Sequence, residues 1–162
     1  MKVMALNVVA IFQLTRALLP LLDAASCPGD PARVITIGSI AGIQHQPFPT
    51  YAYDVSKAAV HSLTKKLACD LAQRGHGKNI TVNAIAPGYV PTKMSAQLDS
   101  YVGSADGLSK AIPLGRLGTD SDMAGAAIFL SSRASAWITG VILPVDGGAS
   151  GASTMMVAPS KL

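Results

Sequence analysis

The sequence predicts an α/β fold in which helices pack against a parallel β-sheet. Short apolar segments rich in β-branched residues are typical of strands that are buried on both faces of such a sheet. Three segments have this composition: Arg33–Gly38, Asn79–Ile85 and Val141–Val145. Segments with helical character alternate with them, and this order indicates right-handed crossovers between parallel strands.

The composition agrees with a single domain that has a buried core. The chain has 162 residues, of which 49% are apolar and 14% charged, with a net charge of +4. Charge and apolar content of this kind argue against disorder. The basic residues are scattered and are not interleaved with aromatic residues, so we expect no nucleic-acid binding.

The cysteines and histidines do not predict a metal site. Cys27 and Cys69 lack metal-ligand spacing, and His45, His61 and His76 share no pattern with carboxylates or cysteines. Two unpaired thiols are typical of a reducing compartment, so we expect a cytoplasmic protein.

The first segment, Lys2–Ala25, is predicted to be an amphipathic helix. Its apolar residues recur at helical spacing, while Asn7, Gln13 and Arg16 interrupt the apolar run. The uninterrupted stretch is therefore shorter than a membrane span requires, and we expect neither a signal peptide nor a membrane protein.

The central helix, predicted for Tyr51–Arg74, carries the main candidate for chemistry. Tyr53 and Lys57 are separated by four residues, so they lie on one face of the helix. A neighbouring cation stabilises a phenolate, which makes a phenol usable as an acid or base near neutral pH. The alternative is that the pair simply belongs to an ordinary amphipathic helix.

Three features converge on one edge of the predicted sheet. Ser39 follows the first strand, Pro87-Gly88 follows the second, and the tyrosine helix begins after the loop Ala41–Thr50. In open parallel sheets ligands bind beyond the carboxyl ends of the strands. This convergence favours a functional role for Tyr53 and Lys57.

The remaining chain contains one further helix and two less regular segments. Asp120–Ser131 is predicted to be a helix that Asp120 caps, and residues 149–162 a flexible tail. Lys93–Pro113 is expected to be irregular or weakly helical. Its apolar residues suggest a lid over a medium or large apolar substrate: Met94, Leu98, Tyr101 and Leu108.

These residues together resemble the short-chain dehydrogenase/reductase family. The resemblance rests on ordered motifs across nearly the whole chain: Asn7, Gly38-Ser39, Tyr53–Lys57 (YDVSK), Asn83–Gly88 and Asp146–Gly148. GSIAG followed by PTYAYDVSKAAVH is most similar to the oxoacyl-reductase-like subgroup. The resemblance implies a Rossmann-like fold and an oxidoreductase that interconverts a carbonyl and a secondary alcohol.

The resemblance also implies roles for particular residues. Tyr53 would exchange a proton with the substrate oxygen, and Ser39 would hold that oxygen by a hydrogen bond. Lys57 would favour the ionised form of Tyr53 and bind the nicotinamide ribose, while Asn7 would hold a water that connects Lys57 to solvent.

The implied cofactor is NAD or NADP, and the residues that would distinguish them lie outside this chain. Tyr53 and Lys57 would contact the cofactor. Pro87, Gly88, Val90 and Thr92 resemble the loop on its nicotinamide side. The substrate would be a small-molecule carbonyl or alcohol of apolar character, and the complete enzyme a homo-oligomer.

One departure from the family pattern is large. The glycine-rich phosphate turn and the first strands should precede Asn7, and the chain contains no G-x-x-x-G-x-G. We therefore expect residues 1–148 to be the carboxyl-terminal portion of the domain, inactive alone, with Arg33–Gly38 as an exposed edge strand.

Two other functions stay open at this point. The chain could be a non-enzymatic truncated paralogue that pairs with a full-length relative through its long helices. An epimerase or dehydratase would share Y-x-x-x-K, although Pro87-Gly88 and Asp146–Gly148 favour the reductase branch.

Overall fold

The computed structural model describes residues 2–93, 95 and 105–151, which form a parallel sheet with flanking helices. Strands β1 (Ala32–Ile37), β2 (Ile80–Pro87) and β3 (Ile142–Val145) are hydrogen-bonded in the order β1-β2-β3. All pairings are parallel, with Ala32 opposite Ile80 at the start of β1. The predicted fold class is confirmed.

Helix α1 extends over Lys2–Ala25 and contains a π-helical segment at Ala5–Val9. One side of the helix packs Leu19 and Leu22 against the core. The helix is long and apolar enough to cross a membrane by length and composition alone, with a mean hydropathy of 1.7. Only 6% of this apolar stretch is buried, and both the mostly buried core helices of water-soluble proteins and amino-terminal signal sequences pass the same test.

Helix α2 (Tyr51–Leu71) supplies three of the six residues in the buried core cluster. Val82 and Ile80 of β2 pack against Leu67, Ala68 and Leu71. The helix ends three residues before the predicted Arg74. The arginine side chain instead binds Asp23 of α1 at 2.9 Å, and Gly75 turns the chain with a φ of +82°.

Helices α3 (Ala105–Ala111) and α4 (Asp120–Ser131) follow later in the chain. The predicted Asp120 cap of α4 is wrong: the capping residue is Thr119, whose side chain accepts from the Asp122 amide. Thr119 is extended at φ −127° and ψ 166°, so its hydroxyl faces the free amides of the first turn. Arg116 binds the same Asp122 at 2.8 Å.

Of the predicted lid residues, Leu108 lies half-buried on α3. Met94, Leu98 and Tyr101 lie outside the described residues, as do residues 152–162 of the predicted tail.

Within the described part of the chain, β1 pairs with β2 alone and forms an edge of the sheet, as predicted. Ile37, at its carboxyl end, is 53% exposed. A groove of about 510 Å³ runs between this edge and α1, and Asn7, Leu18, Ile37 and Lys57 contribute to its lining.

Candidate functional site

Tyr53 and Lys57 lie in the first turns of α2, at the carboxyl end of the sheet. The Lys57 ammonium lies 5.4 Å from the centre of the Tyr53 ring, within the range of a cation–π contact. It also donates to the backbone oxygen of Ile37 at 2.9 Å. Burial lowers the pKa of Lys57. The helical spacing thus produces a direct contact between the two side chains.

Asn7 reaches the same helix from the π-helical segment of α1. Its amide nitrogen donates to the Ser56 hydroxyl at 3.0 Å, and Ser56 donates to the Tyr53 backbone oxygen at 2.7 Å. Ser56 is completely buried. Sequence reasoning missed Ser56, although a small polar residue on the inner face of an apolar helix is a signal that could have identified it. A π-helical turn commonly marks a functional position.

Ser39 follows the end of β1 and is held on two sides. Its hydroxyl oxygen accepts from the Ala41 amide at 3.1 Å, and its own amide donates to His61 Nε2 at 3.4 Å. The residue is buried and its backbone is extended. His61 is a second residue that sequence reasoning missed as part of this site.

The Ser39 loop lies directly on α2 because its glycines allow close approach. A Cβ at Gly42 would lie 2.6 Å from the Lys57 carbonyl carbon, which no side chain permits. The Gly38 amide donates to the backbone oxygen of Ile85 at 2.7 Å. Asn7, Ser39, Tyr53 and Lys57 are therefore anchored to the same turns of α2.

Pro87 and Gly88 lie beside the loop that follows β3. A Cβ at Gly88 would lie 2.7 Å from Cβ of Asp146, so the two predicted motifs pack against each other. The Asp146 carboxylate accepts from the amides of Gly148 and Ser150 at 3.0 and 2.7 Å. Burial raises the pKa of Asp146, but these hydrogen bonds outweigh it and hold the pKa below its ordinary value.

Val90 and Thr92 are joined by Ser95. The Ser95 hydroxyl donates to the Val90 backbone oxygen at 2.9 Å, and the Thr92 side chain accepts from the Ser95 amide at 3.1 Å. These contacts define the shape of the turn after β2. Among residues 2–93, 95 and 105–151, no three metal-ligating side chains gather closely enough to hold an ion.

Comparisons with known proteins give one consistent result. A family model described as enoyl-(acyl carrier protein) reductase matches residues 1–150. A rhamnolipids biosynthesis 3-oxoacyl-[acyl-carrier-protein] reductase from Pseudomonas aeruginosa is 44% identical over 147 residues. The match covers 91% of this chain and 56% of that protein, so the chain spans about half the length of the curated relatives it matches.

Solved structures agree. The chain superimposes on a Pseudomonas aeruginosa RhlG/NADP active-site complex with a TM-score of 0.81 and 42% identity, covering 91% of this chain and 56% of the other. A gluconate 5-dehydrogenase from Burkholderia cenocepacia, in complex with NADP and tartrate, gives a TM-score of 0.80 and 33% identity. That match covers 93% of this chain and 55% of the other.

Proposed function

The chain belongs to the short-chain dehydrogenase/reductase family, and from this premise we propose that it carries the catalytic part of an NAD(P)-dependent oxidoreductase. The reaction interconverts a carbonyl and a secondary alcohol. The observation that carries the proposal is the contact between Lys57 and the Tyr53 ring on the exposed end of α2, with Ser39 and Asn7 anchored to the same turns.

Tyr53 is the proton donor and acceptor in this proposal. In this proposal the Lys57 ammonium, which contacts the Tyr53 ring, supplies a positive charge beside the group that exchanges the proton. The Ser39 hydroxyl oxygen already accepts from Ala41, which leaves its proton free to bind the substrate oxygen. Asn7 holds α1 on the tyrosine helix through Ser56 and lines the same groove as Lys57. In this proposal it holds a water there that connects Lys57 to solvent.

The residues present fit the nicotinamide side of NAD or NADP. An ammonium has three N–H donors, and Ile37 accepts one from Lys57, which leaves donors for ribose hydroxyls. Val90 and Thr92 lie on the turn after β2 and are held by hydrogen bonds to Ser95. In this proposal the turn faces the carboxamide of the cofactor. NAD or NADP supplies or accepts the hydride when bound. Both solved relatives described above contain NADP.

We extend the proposal to substrate, assembly and location. The substrate is an apolar carbonyl compound or alcohol of medium or large size, since the Pseudomonas aeruginosa relative is named for a 3-oxoacyl group. The complete enzyme is a cytoplasmic homo-oligomer, since α1 exposes an apolar face that a second subunit can cover. Neither nucleic acid nor membrane takes part.

The test joins this chain to the amino-terminal half of the Pseudomonas aeruginosa relative, which provides the missing phosphate-binding turn. The joined protein should bind NADPH saturably and reduce a 3-oxoacyl thioester. Tyr53→Phe should remove turnover and leave NADPH binding intact. Turnover in the Tyr53→Phe form would contradict the proposal.

A second function, pairing with a full-length relative, is favoured by the apolar face of α1. Leu14 and Leu21 are 61% and 67% exposed, an unusual state for leucines in a stable monomer. Co-expression with the full-length relative should give a stable mixed complex, and Leu14→Lys with Leu21→Lys should weaken it. A complex that the double variant leaves unchanged would exclude this use of α1.

A further inference from the structure

We propose that His61 is a positioning residue whose imidazole holds the loop of Ser39 on helix α2, by accepting the Ser39 amide and filling the space above Gly38. The effect on catalysis rests on the proposed function. The contact itself is a property of this chain and is tested separately.

His61 belongs to the same face of α2 as the candidate catalytic pair. It lies one turn beyond Lys57 and two turns beyond Tyr53, so the three side chains follow one another along the helix. Only 7% of His61 is exposed. Histidines are seldom buried to this extent unless their ring nitrogens have hydrogen-bond partners. A buried imidazole costs free energy unless its nitrogens are hydrogen-bonded.

Gly38 shows how closely the imidazole meets the loop. A Cβ at this position would overlap His61 Nε2 and lie 2.7 Å from Cδ2 and 3.3 Å from the Ile85 backbone oxygen. The imidazole therefore occupies the space that any side chain at position 38 would need. Gly42, four residues later, contacts the backbone of Lys57 in the same manner.

The hydrogen bonds fix Ser39 between these two contacts. Its amide donates to His61 Nε2 at 3.4 Å, and its hydroxyl oxygen accepts from Ala41 at 3.1 Å. The first bond sets the backbone and the second sets the side chain. The imidazole therefore determines the position of the Ser39 backbone, from which the hydroxyl extends.

Accepting the amide requires an unprotonated Nε2, and the surroundings favour that state. Burial lowers the pKa of His61; a hydrogen bond to the Gly42 backbone opposes this, and the charges of Lys57 and Lys65 add to the lowering. The imidazole is neutral at pH 7, with its proton on Nδ1 because Nε2 is the acceptor.

The first experiment measures hydrogen exchange of the Ser39 amide in the 162-residue chain. His61→Leu fills similar space but accepts no hydrogen bond, so exchange should accelerate by about tenfold or more. His61→Gln presents an oxygen near the position of Nε2 and should stay within about threefold of the parent. His45→Leu, in the exposed part of the same loop, is the matched control and should change nothing.

Two results would overturn the proposal: unchanged exchange in His61→Leu, or equal acceleration in His61→Gln. Nitrogen-15 spectra of the parent at pH 7 should show an unprotonated Nε2, and a protonated one would contradict the contact. These readouts need no turnover. Ser39→Ala in the joined protein tests the proposed function independently.

If His61→Leu does not fold, a double-mutant cycle tests whether the imidazole fills the space above Gly38. Gly38→Ala should lower the thermal midpoint of the parent, because its methyl group meets the imidazole. In a His61→Ala background, Gly38→Ala should lower the thermal midpoint by less than half as much. Equal losses in both backgrounds would show that His61 does not fill this space.

Discussion

Lys57 donates to the backbone oxygen of Ile37 at 2.9 Å and thereby ties the tyrosine helix to the last residue of the edge strand. Ile37 precedes Gly38 and Ser39, so one ammonium contacts the Tyr53 ring and the strand end that carries the Ser39 loop. Burial lowers the pKa of this lysine. Changes at Lys57 should therefore affect both the phenol and the strand end.

Tyr53→Phe should abolish turnover in the joined protein while cofactor affinity remains close to the parent value. Phenylalanine keeps the ring beside Lys57 and removes only the transferable proton, and a general acid typically contributes about 10²–10⁴ in rate. The rate is measured by NADPH oxidation and the affinity by fluorescence titration. Turnover within about a factor of two of the parent would end the assignment of Tyr53.

Lys57→Ala should lower both the rate and cofactor affinity, since one group would serve the phenol and the ribose. Lys57→Arg should restore little, because a planar guanidinium differs from a compact ammonium in the bonds it can make to Ile37. Unchanged cofactor affinity, or a rate within about a factor of two of the parent, would contradict this double role of Lys57.

Gly88→Ala should destabilise the chain by about 1–3 kcal/mol, because the new methyl group meets the backbone and Cβ of Asp146. Gly125→Ala is the matched control: it lies in α4 with nothing within 4 Å, and alanine favours a helix. Urea unfolding of both variants measures the difference. Equal stability of the two would show that the packing of Gly88 on Asp146 is not required.

The pH dependence of unfolding should report on His61. Its pKa in the folded chain is below the unfolded value of about 6.5. The unfolded chain therefore binds more protons in this window, so the stability that the neutral imidazole provides is present above about pH 6.5 and is lost as pH falls through the folded pKa.

His61→Gln should reduce this fall in stability between about pH 7.5 and pH 5, because glutamine does not titrate. Urea unfolding at the two pH values measures it, and His45→Gln serves as the exposed control. Identical pH dependence in the parent and His61→Gln would rule out a buried neutral imidazole.

The 162-residue chain alone should associate with itself and show no saturable NADH or NADPH oxidation. A site that holds only the nicotinamide end fixes the geometry poorly, and small misplacements cost on the order of 10²-fold in rate. The exposed β1 edge and the apolar side of α1 favour association. Size-exclusion chromatography and a cofactor assay measure both properties.

Leu14→Lys should shift the associated form towards monomer. Leu114→Lys should not, because Leu114 is exposed to a similar extent (68% against 61%) but lies on another surface. A monodisperse, active chain would show that this half of the fold is sufficient by itself.

The linear sequence was enough to predict the α/β class, the three strands, α1 and the start of α2. These features depend on local periodicity and on turn residues such as Gly75, which act within a few residues. The Tyr53–Lys57 contact was also predictable, because four residues make about one helical turn. The cap of α4 was misassigned to Asp120, since neighbouring polar residues compete for one position and the extended backbone of Thr119 decides it.

The tertiary structure decided what lies behind the candidate catalytic residues. Ser56 lies 49 residues from its partner Asn7 in the sequence, and His61 lies 22 residues from its partner Ser39. No local sequence pattern predicts pairs this far apart in the chain. The pairs form because α1 and the end of β1 pack on the same helix. The sequence by itself determined which residues could do chemistry, and only the packing of α1 and β1 on α2 decided which residues hold them, because buried polar groups must find partners wherever the fold places them.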